Sequence, residues 1–304
     1  MTSPRPVNTP RRCAYLTMDA LDDFVSDADL THEPLRALGW DIRMVSWRAT
    51  DTDWDQFDLV YICTPWDYQQ DPGAFLDTLR AIHDSSAKLV NDLAIVEWNL
   101  DKRYLRELEQ LGVAIVPSQW HDDFDPHSIN QAFAEFGAEK LVIKPVVGAN
   151  ADDTFVLQHP PGPGMIAKLS RLFKDRPHFI QPFIDNVVTE GEFSLFFFGG
   201  KYSHTILKTP EDGDFRTQEE HGSTIAASTP PTGLVETAAG VIARVQPEPV
   251  YARADFVRAP GHLRNHGEFL LMELELIEPS LYFRTDPESA ARFARALDAF
   301  MSAG

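Results

Sequence analysis

Residues 269–277 read Phe-Leu-Leu-Met-Glu-Leu-Glu-Leu-Ile, two glutamates inside an otherwise apolar run. As a β-strand, Leu270, Met272, Leu274 and Leu276 face one side, and Leu271, Glu273, Glu275 and Ile277 the other. Glu273 and Glu275 then project from one face, roughly 6–7 Å apart. Carboxylates set among so many apolar neighbours repel and raise each other's pKa unless a cation lies between them. A hard cation with oxygen ligands, Mg2+ above all, meets that need; an antiparallel strand with one wet face is the competing reading. The preceding run, residues 250–257 (Val-Tyr-Ala-Arg-Ala-Asp-Phe-Val), places Arg253 and Asp255 at i, i+2 on one face. A connection over 258–268 lets the two strands pair as a hairpin, so that Arg253, Asp255, Glu273 and Glu275 converge. Three acids and a guanidinium suit a metal–polyphosphate site, the acids on the metal and the arginine on the transferred phosphate. An exposed salt-bridge ladder is the alternative.

The first third alternates short apolar runs with helical patterns. Residues 13–18, 41–47, 58–63 and 88–91 read as strands, and 30–38 and 72–83 as helices, with Asp71 as N-cap and Pro72 in the first turn. That alternation predicts an open α/β sheet. Beyond it, helices are expected at 100–111, 126–136, 165–174, 234–245 and 286–302. Strands are expected at 113–117, 141–147, 154–158, 178–184, 193–198 and 201–207, the last two forming a hairpin about Gly199-Gly200. Residues 211–231, polar and without periodicity, read as a long functional loop. The expected units are a disordered N-terminus (1–11), an α/β domain (12–98), a small subdomain (99–185) and a C-terminal subdomain with the metal site (186–304).

With 27 Lys+Arg against 46 Asp+Glu the net charge is −19, which argues against nucleic acid and anionic membrane surfaces as partners. It leaves room for a small anion in a local basic pocket. No apolar run is long enough to span a bilayer, and the N-terminus lacks an apolar signal core, so a cytoplasmic location is expected. Cys13 and Cys63 lie in apolar runs and are expected to be buried thiols. The chain has no Walker A sequence, no G-x-G-x-x-G after a strand, no G-x-S-x-G, H-E-x-x-H or C-x-x-C. Lys144, inside an apolar strand, needs an anionic partner; Lys102 by itself reads as a surface lysine.

The order of these features resembles the ATP-grasp superfamily, in its glutathione-synthetase and RimK-like branch, over roughly residues 99–283. A lysine opens a helix (Lys102) and another lies in Val-Ile-Lys144-Pro. A small-residue loop (147–151), an extended Gln181-Pro-Phe-Ile184, Gly191-Glu192, Arg253-x-Asp255 and Glu273-x-Glu275 follow. Thr64-Pro-Trp-Asp-Tyr68, Trp98-Asn-x-Asp-Lys-Arg-Tyr-Leu105, Ser203-His-x-x-x-Lys208 and Glu273 to Leu281 look like the subgroup that contains the O-ureido-serine cyclo-ligase of D-cycloserine biosynthesis. The resemblance implies an α/β preATP-grasp domain followed by an α+β ATP-grasp fold whose two subdomains clamp ATP. It implies Lys102 and Lys144 on ATP phosphates, Gly148 and Ala149 in the loop covering them, and Gln181, Phe183 and Ile184 as the adenine hinge. Glu190 or Glu192 would meet ribose. Asp255, Glu273 and Glu275 would hold Mg2+, two ions, with Mn2+ as an alternative. Glu275 stands where the family usually has Asn, which keeps an oxygen ligand and adds charge.

The implied chemistry is ATP-dependent and ADP-forming: a carboxylate becomes an acyl phosphate that an amine attacks. Arg253 sits on the transferred phosphate, Lys208 reaches phosphate, and Arg216, in the long loop, closes over acceptor or phosphate or remains in solvent. Ser280 would hold a substrate carboxylate. Trp66 and Asp67, ending a buried strand where open sheets place ligands, would touch an amino-acid substrate or simply cap and pack that strand end. The expected partner is a small molecule, an amino acid or peptide-like carboxylate, and a homodimer is compatible with the superfamily. An intramolecular cyclo-ligase and a non-catalytic ATP-binding module are the competing functions.

Overall fold

The computed structural model describes residues 10–22 and 24–302, so residues 1–9 of the expected disordered N-terminus lie outside the described residues. Arg11 already begins a strand. The strands β1 (Arg11–Thr17), β2 (Trp40–Ser46), β3 (Leu59–Thr64) and β4 (Lys88–Val90) form a parallel sheet in the order β2-β1-β3-β4. Every residue of β3 is buried, as a parallel strand covered on both faces requires.

Helix α1 is His32–Ala37 and α2 is Pro72–His83; the Asp71 carboxylate accepts from Ala74 N–H at 3.0 Å to cap α2. Phe75, Leu79 and Ile82 of α2 pack on one face of the sheet with Leu16, Val60 and Ile62. Cys13 and Cys63 are free and buried on the other face, and burial pushes the Cys63 thiol up to about 12. They are core residues.

The expected helix over 100–111 is shortened to α4 (Tyr104–Gln110); a helix not expected, α3 (Leu93–Asn99), precedes it, and Lys102 lies in the turn between them. The expected strand 113–117 is reduced to a single parallel bridge from Ile115. A second sheet follows, β5 (Gln119–His121), β6 (Lys140–Pro145), β7 (Phe155–Gln158) and β8 (His178–Pro182), antiparallel in the order β5-β8-β6-β7. Helices α5 (Pro126–Phe136) and α6 (Pro163–Leu172) bury Ile129, Phe133 and Leu169 against Leu141, Ile143 and Ile180. The alternation of β6 turns Val142 and Lys144 to the opposite face.

After α7 (Asn186–Thr189), a third sheet contains β9 (Glu192–Phe198), β10 (Lys201–Thr209), β11 (Thr224–Ala227), β12 (Tyr251–Arg258) and β13 (Phe269–Glu275), in the order β11-β10-β9-β12-β13. Gly199 and Gly200, at φ +52° and +68°, make the turn between β9 and β10 that only glycine adopts without strain. The expected loop over 211–231 is in part regular: β11 lies within it and pairs with β10. Helix α8 (Leu234–Ile242) covers one face through Leu234, Ala238 and Val241.

Helix α9 (Ser289–Ser302) leaves this sheet and packs Phe293 and Leu297 against Tyr15, Tyr61 and Cys63 of the first. Asp298 accepts from the Trp40 indole at 3.0 Å and pairs with Arg11. Asn91, buried beyond β4, donates to Tyr251 O and Leu276 O at 2.9 and 2.7 Å and accepts from Val250 N–H at 2.7 Å. The first and third sheets are therefore joined through a common core.

Candidate active site

The three sheets meet around one cavity, and the β12–β13 hairpin forms its floor. The pairing is antiparallel, with Arg253 opposite Glu275 and Asp255 opposite Glu273. The convergence expected from sequence therefore forms. One detail differs. The register shifts between Asp255 and Phe256, so Met272 is a bulge residue. Upstream of it the faces exchange: Leu271 joins the α8 core with Leu274 and Leu276, and Leu270 packs with Val257 on the other side. The expected grouping of Leu271 with the glutamates is thus corrected, because one extra residue reverses the period-two alternation.

Three of the four charged groups are linked through Arg253, and Glu273 pairs with Lys102 instead. Arg253 Nε donates to both Asp255 oxygens at 3.1 Å, its Nη1 donates to Ser280 O at 3.2 Å, and Nη2 pairs with Glu275. Lys208, four residues from His204 on β10, places its ammonium 2.9 Å from Glu192 and 3.2 Å from Asp255. Lys102 lies 2.8 Å from Glu273 and donates to Gly148 O at 2.7 Å. Its position is fixed by its own N–H on Val146 O at 2.8 Å, by Asn99 bonding Leu274 O and Leu276 N–H, and by the Tyr104 hydroxyl accepting from Leu274 N–H. Lys144 lies over the Phe179 ring at 5.1 Å.

Burial and charge set the protonation of these groups. Burial opposes ionisation of Asp255, but Arg253 and Lys208 outweigh it and hold the carboxyl down at about 2. Glu273 is likewise opposed by burial and held below its ordinary value by Lys102 and Lys144. Burial pushes Glu275 up to about 7; Arg253 offsets this only in part, while Glu273 and Asp255 add to it. Burial also lowers Lys144. Lys208 is raised because its two carboxylates overcome burial and the nearby Arg253.

Among the described residues no three His, Cys, Asp or Glu side chains form a ready metal cage. Asp255, Glu273 and Glu275 are each engaged by a lysine or arginine. Their chemistry nonetheless fits a hard divalent cation: the donors are all carboxylate oxygens, brought together on paired positions of one hairpin.

The expected residues fall into three groups. Lys102, Lys144, Gly148, Ala149, Gln181, Phe183, Ile184, Glu192, Lys208, Arg216, Arg253, Glu273, Glu275, Ser280 and Trp66 all line this one cavity. Asp255 lies buried behind Arg253 and Lys208. Glu190 and Asp67 point elsewhere. Glu190 accepts from Arg258 Nε at 3.0 Å, and Asp67 accepts from the Trp47 indole at 2.7 Å and pairs with Arg48. Asp67 lies between the cavity residues Trp66 and Tyr68, and Glu190 two residues before Glu192; each is drawn away by a cation that the sequence does not reveal. Arg216 is held beside Asp214, 2.6 Å away. In the loop after β6, Asn150 and Ala151 adopt φ of +53° and +57°, and Asn150 donates to Trp66 O at 3.2 Å. Asn99, Tyr68 and Glu278 also line the cavity. The sequence places all three inside the motifs that carry the resemblance but assigns none of them a site role; Glu278 adds a local signal, an acid three residues after Glu275.

Residues 13–91 match the family model described as the D-cycloserine synthetase DcsG, N-terminal domain. The chain is 28% identical over 282 residues to the cycloserine biosynthesis protein DcsG of Streptomyces lavendulae, covering 87% of this chain and 90% of the relative. The crystal structure of D-cycloserine synthetase DcsG superposes with a TM-score of 0.84 at 26% identity, over 95% of this chain and 99% of that one. Two more distant structures share the fold. The ATP-grasp ligase PsnB, solved with a phosphomimetic precursor variant, Mg and ADP, has a TM-score of 0.66 at 15% identity, over 96% of this chain and 99% of that one. The D-alanine–D-alanine ligase of Bacillus anthracis, solved with ATP, has a TM-score of 0.63 at 17% identity, over 96% of both chains. Among the described residues no helix is long and apolar enough to cross a membrane. By fold and sequence together the chain resembles the D-cycloserine synthetases, and it shares its fold with the wider group of ATP-grasp ligases.

Proposed function

We propose that the cavity binds ATP and a small carboxylate, and that the carboxylate is converted to an acyl phosphate which an amine then captures. The observation that carries this reading is the set of four cations, Lys102, Lys144, Lys208 and Arg253, lining one cavity together with Glu273 and Glu275. In a protein of net charge −19, four cations lining one cavity suit a polyanionic ligand.

In this reading Lys102 and Lys144 hold the phosphates beneath the 147–151 loop. Gln181, Phe183 and Ile184 receive the base, and Glu192 lies toward the ribose. Arg253 and Lys208 face the transferred phosphoryl group, where spread negative charge is stabilised by fixed cations. The carboxylate oxygen bonds to the γ-phosphorus as ADP leaves; the amine nitrogen then bonds to the acyl carbon as inorganic phosphate leaves. Asp255, Glu273 and Glu275 would hold Mg2+, two ions being expected with Mn2+ as a substitute, and the metal would neutralise phosphate charge. Glu190 and Asp67 are left out of these roles, since each is bound to an arginine outside the cavity.

The test is ADP and phosphate release with ATP and Mg2+ across a panel of amino acids and dipeptides. Stimulation by a carboxylate–amine pair supports an intermolecular ligase. No stimulation by any member, with ATP binding intact, refutes the ligase reading. A second reading, intramolecular ring closure, is favoured by the similarity to a cycloserine biosynthesis protein over 87% of the chain. It requires that one substrate suffices without an added acceptor.

A further inference from the structure

The cavity is unevenly charged. Lys102, Lys208 and Arg253 are ion-paired on its floor, and Lys144 stands on the wall made by β6 and β8. The wall where residues 66–68, after β3, meet residues 278–282, after β13, is different. It presents Trp66, Tyr68, Glu278, Ser280 and Tyr282, with Phe24 beside them, and has no lysine or arginine of its own; Arg253 reaches it from the floor only at the backbone, donating to Ser280 O at 3.2 Å. Glu278 carries its one carboxyl. Among the described residues no lysine, arginine or histidine is ion-paired with it, and Lys102, whose field it feels, is engaged by Glu273 and Gly148.

The surroundings of Glu278 are built to hold their shape. The Trp66 indole donates to Glu278 O at 2.9 Å and its ring lies 5.4 Å from Phe24. The Tyr68 hydroxyl faces the Glu278 carboxyl. Tyr282 is held at φ +45°, in the left-handed region. Burial, reinforced by the neighbouring Glu275, pushes Glu278 up to about 8, the state of an enclosed acid that lacks a counter-ion. An acid among aromatic faces, with no cation of its own, complements an ammonium group.

We propose that Glu278 binds the amino group of the substrate, so that the substrate class is a carboxylic acid with a free primary ammonium, held by that ammonium against Trp66, Tyr68 and Tyr282. Its carboxylate then points toward Arg253 and Lys208. The assignment rests on the ligase reading and narrows it.

The experiment is calorimetric titration of the full chain, with ADP and Mg2+ present, using the D and L forms of the proteinogenic amino acids and their N-acetyl derivatives. At least one free amino acid is expected to bind. Acetylation, or Glu278→Gln, should weaken that binding at least tenfold, and Glu278→Asp should recover at least threefold of the loss. The thermal midpoint serves as the folding control; if the Gln variant does not fold, the acetylation series and the Asp variant decide. The assignment is overturned if no free amino acid binds, if the N-acetyl form binds equally well, or if Glu278→Gln binds like the wild type. Absence of ADP release with the expected binding pattern would refute the ligase reading while leaving this contact standing.

Discussion

Lys208 is the cation on which two buried acids depend, and its removal has a calculable effect. Its side chain is 5% exposed, that of Glu192 8% and that of Asp255 4%. In Lys208→Met, Asp255 keeps three contacts to Arg253 at 3.0–3.1 Å, whereas Glu192 keeps only the Thr217 hydroxyl at 3.3 Å. Breaking a buried pair by removing one partner costs about 3–5 kcal/mol, and here the cost falls mainly on Glu192. Glu192 escapes it by taking up a proton. Its pKa is already raised by burial, with Lys208 opposing, and rises further once the lysine is gone. The folded variant then binds this proton more tightly than the unfolded chain, so stability falls as pH rises from the ordinary carboxylate range to the raised value. The limiting slope is about 1.4 kcal/mol per pH unit. Urea unfolding followed by tryptophan fluorescence should show a loss of about 3–4 kcal/mol at pH 8, shrinking to about 1–2 kcal/mol at pH 5.5. Adding Glu192→Gln should recover at least about 1 kcal/mol at pH 8 by removing the stranded charge. Equal losses at both pH values, or a double variant no more stable than the single one, would refute the reasoning.

Other consequences follow from the same contacts. Asn91→Ala strands three buried backbone groups and should cost about 3–5 kcal/mol, read as a lower urea midpoint; a loss under about 1 kcal/mol would show that water replaces the amide. Glu273→Gln should reduce ADP release at least a hundredfold with the thermal midpoint within a few degrees, and retained turnover would remove this residue from the proposed metal set. Glu278, raised to about 8 by burial and then by Glu275, favours its protonated form in the folded chain. Wild-type stability should therefore fall relative to Glu278→Gln as pH is raised from 6 to 8.5, and parallel midpoints across that range would contradict the placement of this acid.

Much of the site was legible because its signals are local. Period-two alternation placed Arg253 with Asp255 and Glu273 with Glu275, and the hairpin then required the pairs to meet. Helix caps such as Asp71 and the Gly199-Gly200 turn act within a few residues and were found for that reason. The bulge at Met272 was not, since a single apolar run accommodates either phase and only the packing of Leu271 against α8 selects one. Glu190 and Asp67 were misplaced for a related reason: the arginines that bind them, Arg258 and Arg48, are brought there by pairing and turns.

The sequence by itself determined the α/β alternation of the first domain, the absence of a covalent nucleophile motif and which acids share a strand face, since each depends on residue type and short-range spacing. Tertiary structure decided which acid has which cation. Lys208 meets Glu192 and Asp255, Lys102 meets Glu273, and Glu278 meets none, because these pairings span 16 to 171 residues. Charge balance inside a cavity is a property of all its walls at once, and no single segment of the chain contains it.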